Sequence, residues 1–193
     1  MEKSQGDGSI VSHEDAPQAT PARRRDSLRL WLRDLLISAA ASVFIITALY
    51  QPVRVEGTSM LPRLEDRDRL FINKFVYQFS AIQRGDVVVF HYPRDPEESY
   101  IKRVIAVPGD RIRIDRGQVW LNGKLLREGY VPEFYRDSRS VEEEVVPEGD
   151  YFMMGDHRSI SYDSRDFGSV GRSLIYGKAV FVYWPARDAG VVR

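Results

Sequence analysis

The pattern of hydrophobic and polar positions changes twice along the chain. Residues 1–27 contain almost no large apolar side chain, so they cannot offset the entropy of ordering and are predicted to be a disordered tail. Residues 28–52 are predominantly apolar, and no charged residue occurs after Asp34 in this segment. From Val53 onward, short runs of β-branched and aromatic residues alternate with turn residues, which is typical of strands.

The apolar segment, residues 28–52, predicts a single membrane-spanning helix. Its uncharged part, 35–50, would rise roughly 24 Å as a helix, and the flanking leucines and Trp31 can make up the difference to a hydrocarbon core of ~30 Å. The alternatives are a buried core helix, since the segment is short, and a cleaved secretory signal, although the alanine run at 39–41 lies inside the segment rather than after it. Three arginines at 23–25 favour a cytoplasmic N-terminus and an extracytoplasmic C-terminal part.

Residues 53–187 predict a mostly antiparallel β domain. Gly-Asp and Asn-Gly pairs separate its apolar runs, and Asn122 followed by Gly123 is typical of a tight hairpin. No amphipathic helix interrupts these runs, the stretch 116–147 is interpreted as an elaboration on the domain, and 188–193 as a C-terminal tail. The predicted strands are 69–73, 86–92, 100–107, 111–115, 118–121, 151–154 and 178–184.

The composition excludes several classes of function. The 28 Lys and Arg residues equal the 28 Asp and Glu residues, so the chain has no overall field that would attract nucleic acid. With no cysteine, the chain has no disulfide, no thiolate zinc site and no cysteine nucleophile. The three histidines lie far apart and the carboxylates form no ligand pattern, so neither a metal nor another cofactor is predicted. Covalent catalysis would have to use Ser, Thr, Lys or a carboxylate.

Two residues of the β domain are candidates for chemistry. Ser59 lies in a glycine-containing turn, residues 57–60, where a hydroxyl can be presented beside backbone N–H groups. Lys102 lies inside the apolar run 100–107, where burial would lower its pKa towards the neutral form that a general base needs. Taken alone, each residue also has a structural explanation, as a turn serine and as a solvent-facing or ion-paired lysine. A histidine base is a further option for the serine.

Four motifs follow the apolar segment in order: GTSM at 57–60, RGDVVVF at 84–90, YIKRVIAVPGD at 100–110 and GDHRSISYDSR at 155–165. Together they closely resemble the type I signal peptidases of bacteria. The resemblance covers about residues 53–185. It implies a serine endopeptidase with a β-rich catalytic domain on the outer face of the plasma membrane, which removes signal peptides from exported preproteins through an acyl-enzyme.

The resemblance also implies roles for individual residues. Ser59 is similar to the nucleophile of the family, Lys102 to its general base, and Ser161 to the serine that holds the lysine amine. Asp163 and Arg165 are similar to a structural ion pair near the site. The family has shallow apolar pockets for small side chains at the first and third positions before the cut. The residues that the resemblance assigns to these pockets, several of which could equally be core residues, are Val53, Val55, Met60, Leu64, Leu70, Tyr100 and Ile101.

Three positions depart from the family pattern. Some members carry a serine at the position of Gly57, and its hydroxyl donates to the oxyanion. The predicted donors here are therefore the backbone N–H of Ser59 and a second N–H of the same turn, at Gly57. His157 and Ile160 stand where the family often has asparagine.

The resemblance implies exported preproteins, the lipid bilayer and the protein-export translocon as partners, in a bacterial plasma membrane. Two other functions remain open. A self-cleaving repressor-type protease also uses serine and lysine, but the apolar anchor and the lack of a basic DNA-binding domain disfavour it. A non-catalytic, membrane-tethered β module is disfavoured because both Ser59 and Lys102 are present.

Overall fold

The computed structural model describes residues 21–192. The chain divides into two compact units, with the boundary in the sequence between Phe44 and Ile45. Helix α1, Pro21–Leu49, includes residues 21–27, which corrects the end of the predicted disordered tail; residues 1–20 of that tail lie outside the described residues. The helix ends at Leu49 rather than at residue 52, because Tyr50 to Pro52 belong to the first strand.

Helix α1 contains one segment, Ser27–Thr47, that is long and apolar enough to cross a membrane. Its large apolar side chains are exposed from Leu28 to Ile46. The hydroxyl of Ser42 donates to the carbonyl of Ser38 at 2.8 Å, so this polar group is satisfied within the helix itself. These properties fit a helix that anchors the chain in a membrane.

The second unit is built from two antiparallel sheets, which confirms the predicted fold class. The larger has eight strands in the order β1-β2-β11-β3-β4-β9-β10, with β12 paired to β11, and the smaller has the order β7-β6-β5-β8. Two short helices, α2 (Val76–Phe79) and α3 (Ser164–Phe167), connect strands. The strands are β1 Tyr50–Arg54, β2 Arg69–Asn73, β3 Val87–Tyr92, β4 Asp95–Ala106, β5 Arg111–Asp115, β6 Gln118–Leu121, β7 Lys124–Leu125, β8 Val141–Val145, β9 Asp150–Met154, β10 Val170–Gly171, β11 Ile175–Trp184 and β12 Gly190–Val191.

The strands found by the apolar pattern are β2, β3, β4, β5, β6, β9 and β11. Strand β8 was missed because its centre is a run of exposed glutamates that shows no apolar alternation. Strands β7, β10 and β12 have two residues each, too few to form a pattern, and β12 lies within the predicted tail 188–193. The predicted elaboration 116–147 contains β6, β7 and β8, but the sheet that they form also includes β5.

The turn at Asn122 and Gly123 joins β6 to β7 as predicted. Both residues have positive φ, 53° and 76°, which is the conformation of a two-residue type I′ hairpin. The small sheet packs on the large one through a shared apolar cluster, in which Ile112 and Ile114 contribute from β5, and Phe152 and Met154 from β9.

Strand β4 occupies a central position between β3 and β9. Its N-terminal half is exposed, whereas every residue from Lys102 to Ala106 is buried. Because successive side chains of a strand point to opposite faces, two adjacent cationic residues, Lys102 and Arg103, are buried on the two sides of one sheet. The chemistry of the molecule depends on how each of these two charges is accommodated.

Candidate active site

Ser59 lies in the turn that follows β1, residues 57–60, which we call the serine turn. Backbone hydrogen bonds between Val55 and the segment before β2 continue the β1–β2 pairing up to this turn, with Val55 N–H donating to Asp68 O at 2.8 Å. On the other side of the turn, Met60 and Leu64 are fully buried in the apolar cluster beneath it. The turn is therefore held between a strand and a core contact, with Ser59 half-exposed at its end.

Lys102 reaches the serine turn from β4. Its position is fixed by the antiparallel register with β3, in which Lys102 is opposite Val88. The Nζ atom of Lys102 lies 2.6 Å from Oγ of Ser59, although the two residues are 43 positions apart in the sequence. Hydrogen-bond contact between a nucleophile and a base is the arrangement needed for nucleophilic catalysis.

The environment of Lys102 favours its neutral form. Burial is the largest influence and lowers the pKa of the ammonium from 10.5 to about 8. The charge of Asp163 raises this pKa and that of Arg165 lowers it, but both effects are smaller than desolvation. With a pKa of about 8, roughly a tenth of the amine is neutral at pH 7 and able to accept a proton, far more than for an ordinary lysine.

Asp163 ends the loop that follows β9, and Arg165 lies beside it in the first turn of helix α3. The guanidinium of Arg165 donates to both carboxylate oxygens of Asp163, at 2.7 and 2.8 Å. Burial raises the pKa of the Asp163 carboxyl, but hydrogen bonds from Arg165 and from the Gly155 N–H outweigh it and hold that pKa below its usual value. Asp163 also caps helix α3 in a reciprocal pair with Asp166. This carboxylate therefore fixes the loop that carries Ser161.

Ser161 lies beside the main chain of the serine turn. Its Oγ atom is buried and has no hydrogen-bond partner within the described residues, although it lies close enough to Asp163 to contribute to the lowered pKa of that carboxyl. A Cβ atom added to Gly155 would come within 2.3 Å of this Oγ and 2.4 Å of the carbonyl oxygen of Ser59. Only glycine at 155 permits this close approach of the two loops.

The two backbone donors predicted for an oxyanion differ in availability. The Gly57 N–H already donates to Oδ1 of Asp66 at 2.9 Å, which satisfies this group inside the turn. The Ser59 N–H makes no hydrogen bond within residues 21–192. The serine turn thus offers its Ser59 N–H to an incoming group.

A cleft of about 480 Å³ opens over Ser59 and Lys102. Four of the seven residues predicted for apolar pockets line it, namely Val53, Val55, Tyr100 and Ile101. The other three, Met60, Leu64 and Leu70, are buried in the core beneath the serine turn and do not line the cleft. Further lining residues that sequence reasoning did not assign to it are Arg54, Glu56, Thr58, Val89, Ser99, Ile160, Tyr162 and Tyr176.

Sequence reasoning also missed two buried ion pairs behind the site. Arg103 donates to both oxygens of Asp156, at 2.8 and 2.6 Å. Arg158 donates to both oxygens of Glu128, at 2.9 and 2.5 Å, which connects the loop after β9 to the segment that follows β7. The charged residues within the motifs at 100–110 and 155–165 could have indicated these ion pairs, because a charge that is buried in an apolar environment needs a partner of opposite charge.

Comparisons with known proteins were made for the whole chain. The model of the family described as "Signal peptidase, peptidase S26" matches residues 28–184. The signal peptidase I of Bacillus licheniformis is 34% identical, over 86% of this chain and 93% of its own length. The signal peptidase I of Bacillus caldolyticus is 37% identical, over 82% of this chain and 90% of its own length. The crystal structure of a signal peptidase I from Enterococcus faecalis is 32% identical, with a TM-score of 0.45, covering 51% of this chain and 97% of that one.

The family match extends from helix α1 through β11, and so includes the serine turn, Lys102 and the loop with Asp163. The two Bacillus relatives align over 90% and 93% of their own lengths, so the similarity extends through nearly the whole of each relative. The chain therefore belongs to the signal peptidase family, peptidase S26, a family of membrane-anchored serine endopeptidases.

Proposed function

We propose that this chain cleaves N-terminal signal peptides from exported preproteins, with Ser59 as the nucleophile and Lys102 as the general base. The observation that carries the proposal is the contact of 2.6 Å between Ser59 Oγ and Lys102 Nζ at the bottom of an open cleft. The lowered pKa of Lys102 supports the same assignment, because only a neutral amine can take the proton of the serine hydroxyl.

The reaction follows from the positions of these two groups. The hydroxyl of Ser59 transfers its proton to Nζ of Lys102 while Oγ attacks the scissile carbonyl carbon, and the Ser59 N–H donates to the resulting oxyanion. The Lys102 ammonium then protonates the amine of the departing mature chain, which leaves the signal peptide as an ester on Ser59. Water, deprotonated by the neutral lysine, hydrolyses this ester and restores the serine.

The cleft walls support a preference for a peptide in extended form. Val53 and Val55 lie on the segment that leads into the serine turn, and Tyr100 and Ile101 lie on β4 opposite them. A peptide lying between these two segments would present alternate side chains to the apolar walls. We assign these four residues to substrate contact, whereas Met60, Leu64 and Leu70 support the walls from the core.

The loop after β9 supports the catalytic lysine. Asp163 attracts the ammonium form of Lys102 that appears during the reaction, and Arg165 keeps the Asp163 side chain in place. The buried hydroxyl of Ser161 has spare hydrogen-bonding capacity beside the serine turn, so it is available to the amine of Lys102 when that side chain moves.

The proposed setting is a bacterial plasma membrane crossed once by helix α1. The arginines at 23–25 favour a cytoplasmic N-terminus, which puts the domain from about 53 to 187 outside. A preprotein held in the same membrane by its own apolar segment presents its cleavage site on that side. We therefore also propose that the chain acts beside the protein-export translocon, where preproteins emerge.

The pH dependence of cleavage tests the lysine base. We expect kcat/KM for a signal-peptide substrate to rise about tenfold per pH unit below pH 8 and to level off above it, because the pKa of Lys102 is about 8 and the neutral amine predominates above that value. The measurement is a series of initial rates from pH 5.5 to 9.5, with circular dichroism at each pH as the control for folding. A profile that is flat from pH 6 to 9 would exclude a lysine base.

Labelling of single cysteines tests the orientation. The chain has no cysteine, so Ser4→Cys and Glu148→Cys each introduce a unique thiol, the second at an exposed position. In intact cells a membrane-impermeant maleimide is expected to label only Glu148→Cys, and Ser4→Cys is expected to react after permeabilisation. The opposite pattern would reverse the proposed topology.

A further inference from the structure

The peptide group between Thr58 and Ser59 has a special position in the serine turn. Its N–H is that of Ser59, the proposed oxyanion donor, and its C=O is that of Thr58. Because a trans peptide group is planar, its C=O and N–H point in opposite directions, and whatever holds the oxygen also aims the N–H. The partners of the Thr58 carbonyl therefore bear on the proposed catalysis.

His157 contacts this carbonyl from the loop that follows β9. Its Nδ1 atom lies 3.2 Å from the carbonyl oxygen of Thr58, which also accepts the N–H of Leu61 at 3.2 Å. A carbonyl oxygen can only accept, so Nδ1 carries the proton in this contact. The backbone N–H of His157 donates in addition to the carbonyl of Ser59 at 3.0 Å. One residue thus binds two consecutive carbonyls of the serine turn.

The imidazole ring of His157 is itself held from the side of the small sheet. The ring of Tyr135 meets it edge to face, with centroids 4.5 Å apart and planes at 82°. Tyr135 belongs to a single 3-10 turn, Glu133–Tyr135, in the connection between β7 and β8. Its carbonyl accepts the N–H of Ser159 at 3.3 Å, so main chain and side chain of Tyr135 both contact the loop that carries His157.

We propose that His157 is a positioning residue that aims and polarises the Ser59 N–H through the Thr58 carbonyl, and that Tyr135 acts through His157. This inference rests on the proposed role of Ser59 as nucleophile. A hydrogen bond to the oxygen of a peptide group strengthens the donor character of its N–H, because bonds in a chain polarise one another. Since the Gly57 N–H is occupied by Asp66, the Ser59 N–H carries this function in the serine turn.

Substitutions at 157 separate positioning from packing. The Nδ2 atom of asparagine is attached to Cγ, as Nδ1 of histidine is, so His157→Asn retains a donor to the Thr58 carbonyl. His157→Asp introduces a side chain with nearly the shape of asparagine but with no hydrogen-bond donor. His157→Leu retains only the volume of a side chain at this position. We expect kcat for signal-peptide cleavage to fall about tenfold to a hundredfold in the Asp and Leu variants, with KM within about twofold, and to stay within about threefold of the parent in His157→Asn.

Two further variants test specificity. His91 is a matched control, because its Nδ1 atom also contacts a backbone carbonyl, that of Pro96 at 2.9 Å, and its ring packs on an aromatic ring, that of Tyr176. His91→Leu is expected to retain the parental kcat. Tyr135→Leu is expected to lower kcat in the parent but to have little further effect in His157→Leu, because its influence passes through the imidazole.

All of these variants are made in the full chain and compared with Ser59→Ala, so that failure of this inference can be distinguished from failure of the proposed function. Equal kcat values for His157→Asn and His157→Asp would overturn the inference, as would additive effects of Tyr135→Leu and His157→Leu, while the proposed function would stand. Cleavage that persists in Ser59→Ala would instead refute the proposed function, whatever the variants at 157 show. Thermal midpoints of all variants separate a loss of kcat from a loss of folded protein.

Discussion

Replacing Ser59 with alanine or Lys102 with methionine is expected to lower the rate of signal-peptide cleavage by about 10⁴-fold or more. The first change removes the atom that attacks the carbonyl. The second removes the one group within residues 21–192 that lies at hydrogen-bond distance from Ser59 Oγ, 2.6 Å, and can accept its proton. The measurement is cleavage of a preprotein by the purified full chain in detergent, followed by separation of precursor and mature forms.

Methionine is chosen at position 102 because it retains the volume of the lysine stem. Burial lowers the pKa of Lys102 from 10.5 to about 8, so folding disfavours the ammonium and Lys102→Met is expected to be at least as stable as the parent. The sign follows from proton binding. Between pH 8 and 10.5 the unfolded chain binds more protons at this residue than the folded one, so this penalty on stability is full below pH 8 and disappears as the pH rises to 10.5.

Lys178→Met is the matched control for the lysine. In the sheet register both Lys102 and Lys178 are opposite Val88, on either side of β3. The ammonium of Lys178, however, binds the carboxylate of Asp86 at 2.5 Å and does not line the cleft. We expect this variant to cleave at nearly the parental rate. Substantial cleavage by Ser59→Ala or Lys102→Met would contradict the dyad, and the double variant is expected to be no slower than either single one.

Replacing Asp156 with alanine is expected to lower the free energy of unfolding by about 3–5 kcal/mol. The side chains of Arg103 and Asp156 are 2% and 0% exposed, so the change leaves a buried guanidinium without its carboxylate. The same guanidinium also donates to the Gly85 carbonyl at 2.9 Å and lies over the face of the Tyr130 ring, and both of these groups are uncharged. The measurement is a urea denaturation of the full chain, followed by tryptophan fluorescence.

The exposed ion pair between Arg111 and Glu143 supplies the control. These two side chains are 61% and 40% exposed, so Glu143→Ala is expected to leave the denaturation midpoint almost unchanged. Replacement of both partners of the buried pair, Arg103→Met with Asp156→Leu, is expected to be less harmful than Asp156→Ala alone, because no charge is then left buried. If Asp156→Ala and Glu143→Ala shifted the midpoint equally, the buried pair would have no special role in stability.

The sequence was most informative where one local signal dominates. The Asn122-Gly123 pair predicts its hairpin because both residues tolerate positive φ, and β-branched runs predict strands such as β2 and β5 because their alternation is complete. Strand β4 was predicted too short, since its exposed N-terminal half has no apolar alternation and is a strand only because it pairs with β3. Pairing partners, unlike alternation, cannot be read from one segment.

The apolar residues around Ser59 show which part of the site could not be predicted from the sequence. Met60, Leu64 and Leu70 are as apolar as Val53 and Val55, and Val55 belongs to the same buried cluster as the first three. Of these five residues, however, only Val53 and Val55 line the cleft. The chain leaves the regular strand before the serine turn, so no period assigns side chains to one face or the other. Likewise, His157 and Tyr135 are separated by two strands in the sequence, β8 and β9, and nothing local indicates that their rings touch.

The sequence by itself determined the apolar anchor segment, the β character of the remainder and the presence of Ser59 and Lys102 in ordered motifs, because each depends on composition, alternation or local spacing. Only the tertiary structure decided that Lys102 Nζ contacts Ser59 Oγ across 43 positions and that burial brings its pKa to about 8. It also decided that Arg103, the next residue, is neutralised by Asp156 on the opposite face. The physical reason is that solvation and charge pairing depend on what packs against a residue, and strand register and loop contacts set this over distances that sequence patterns do not span.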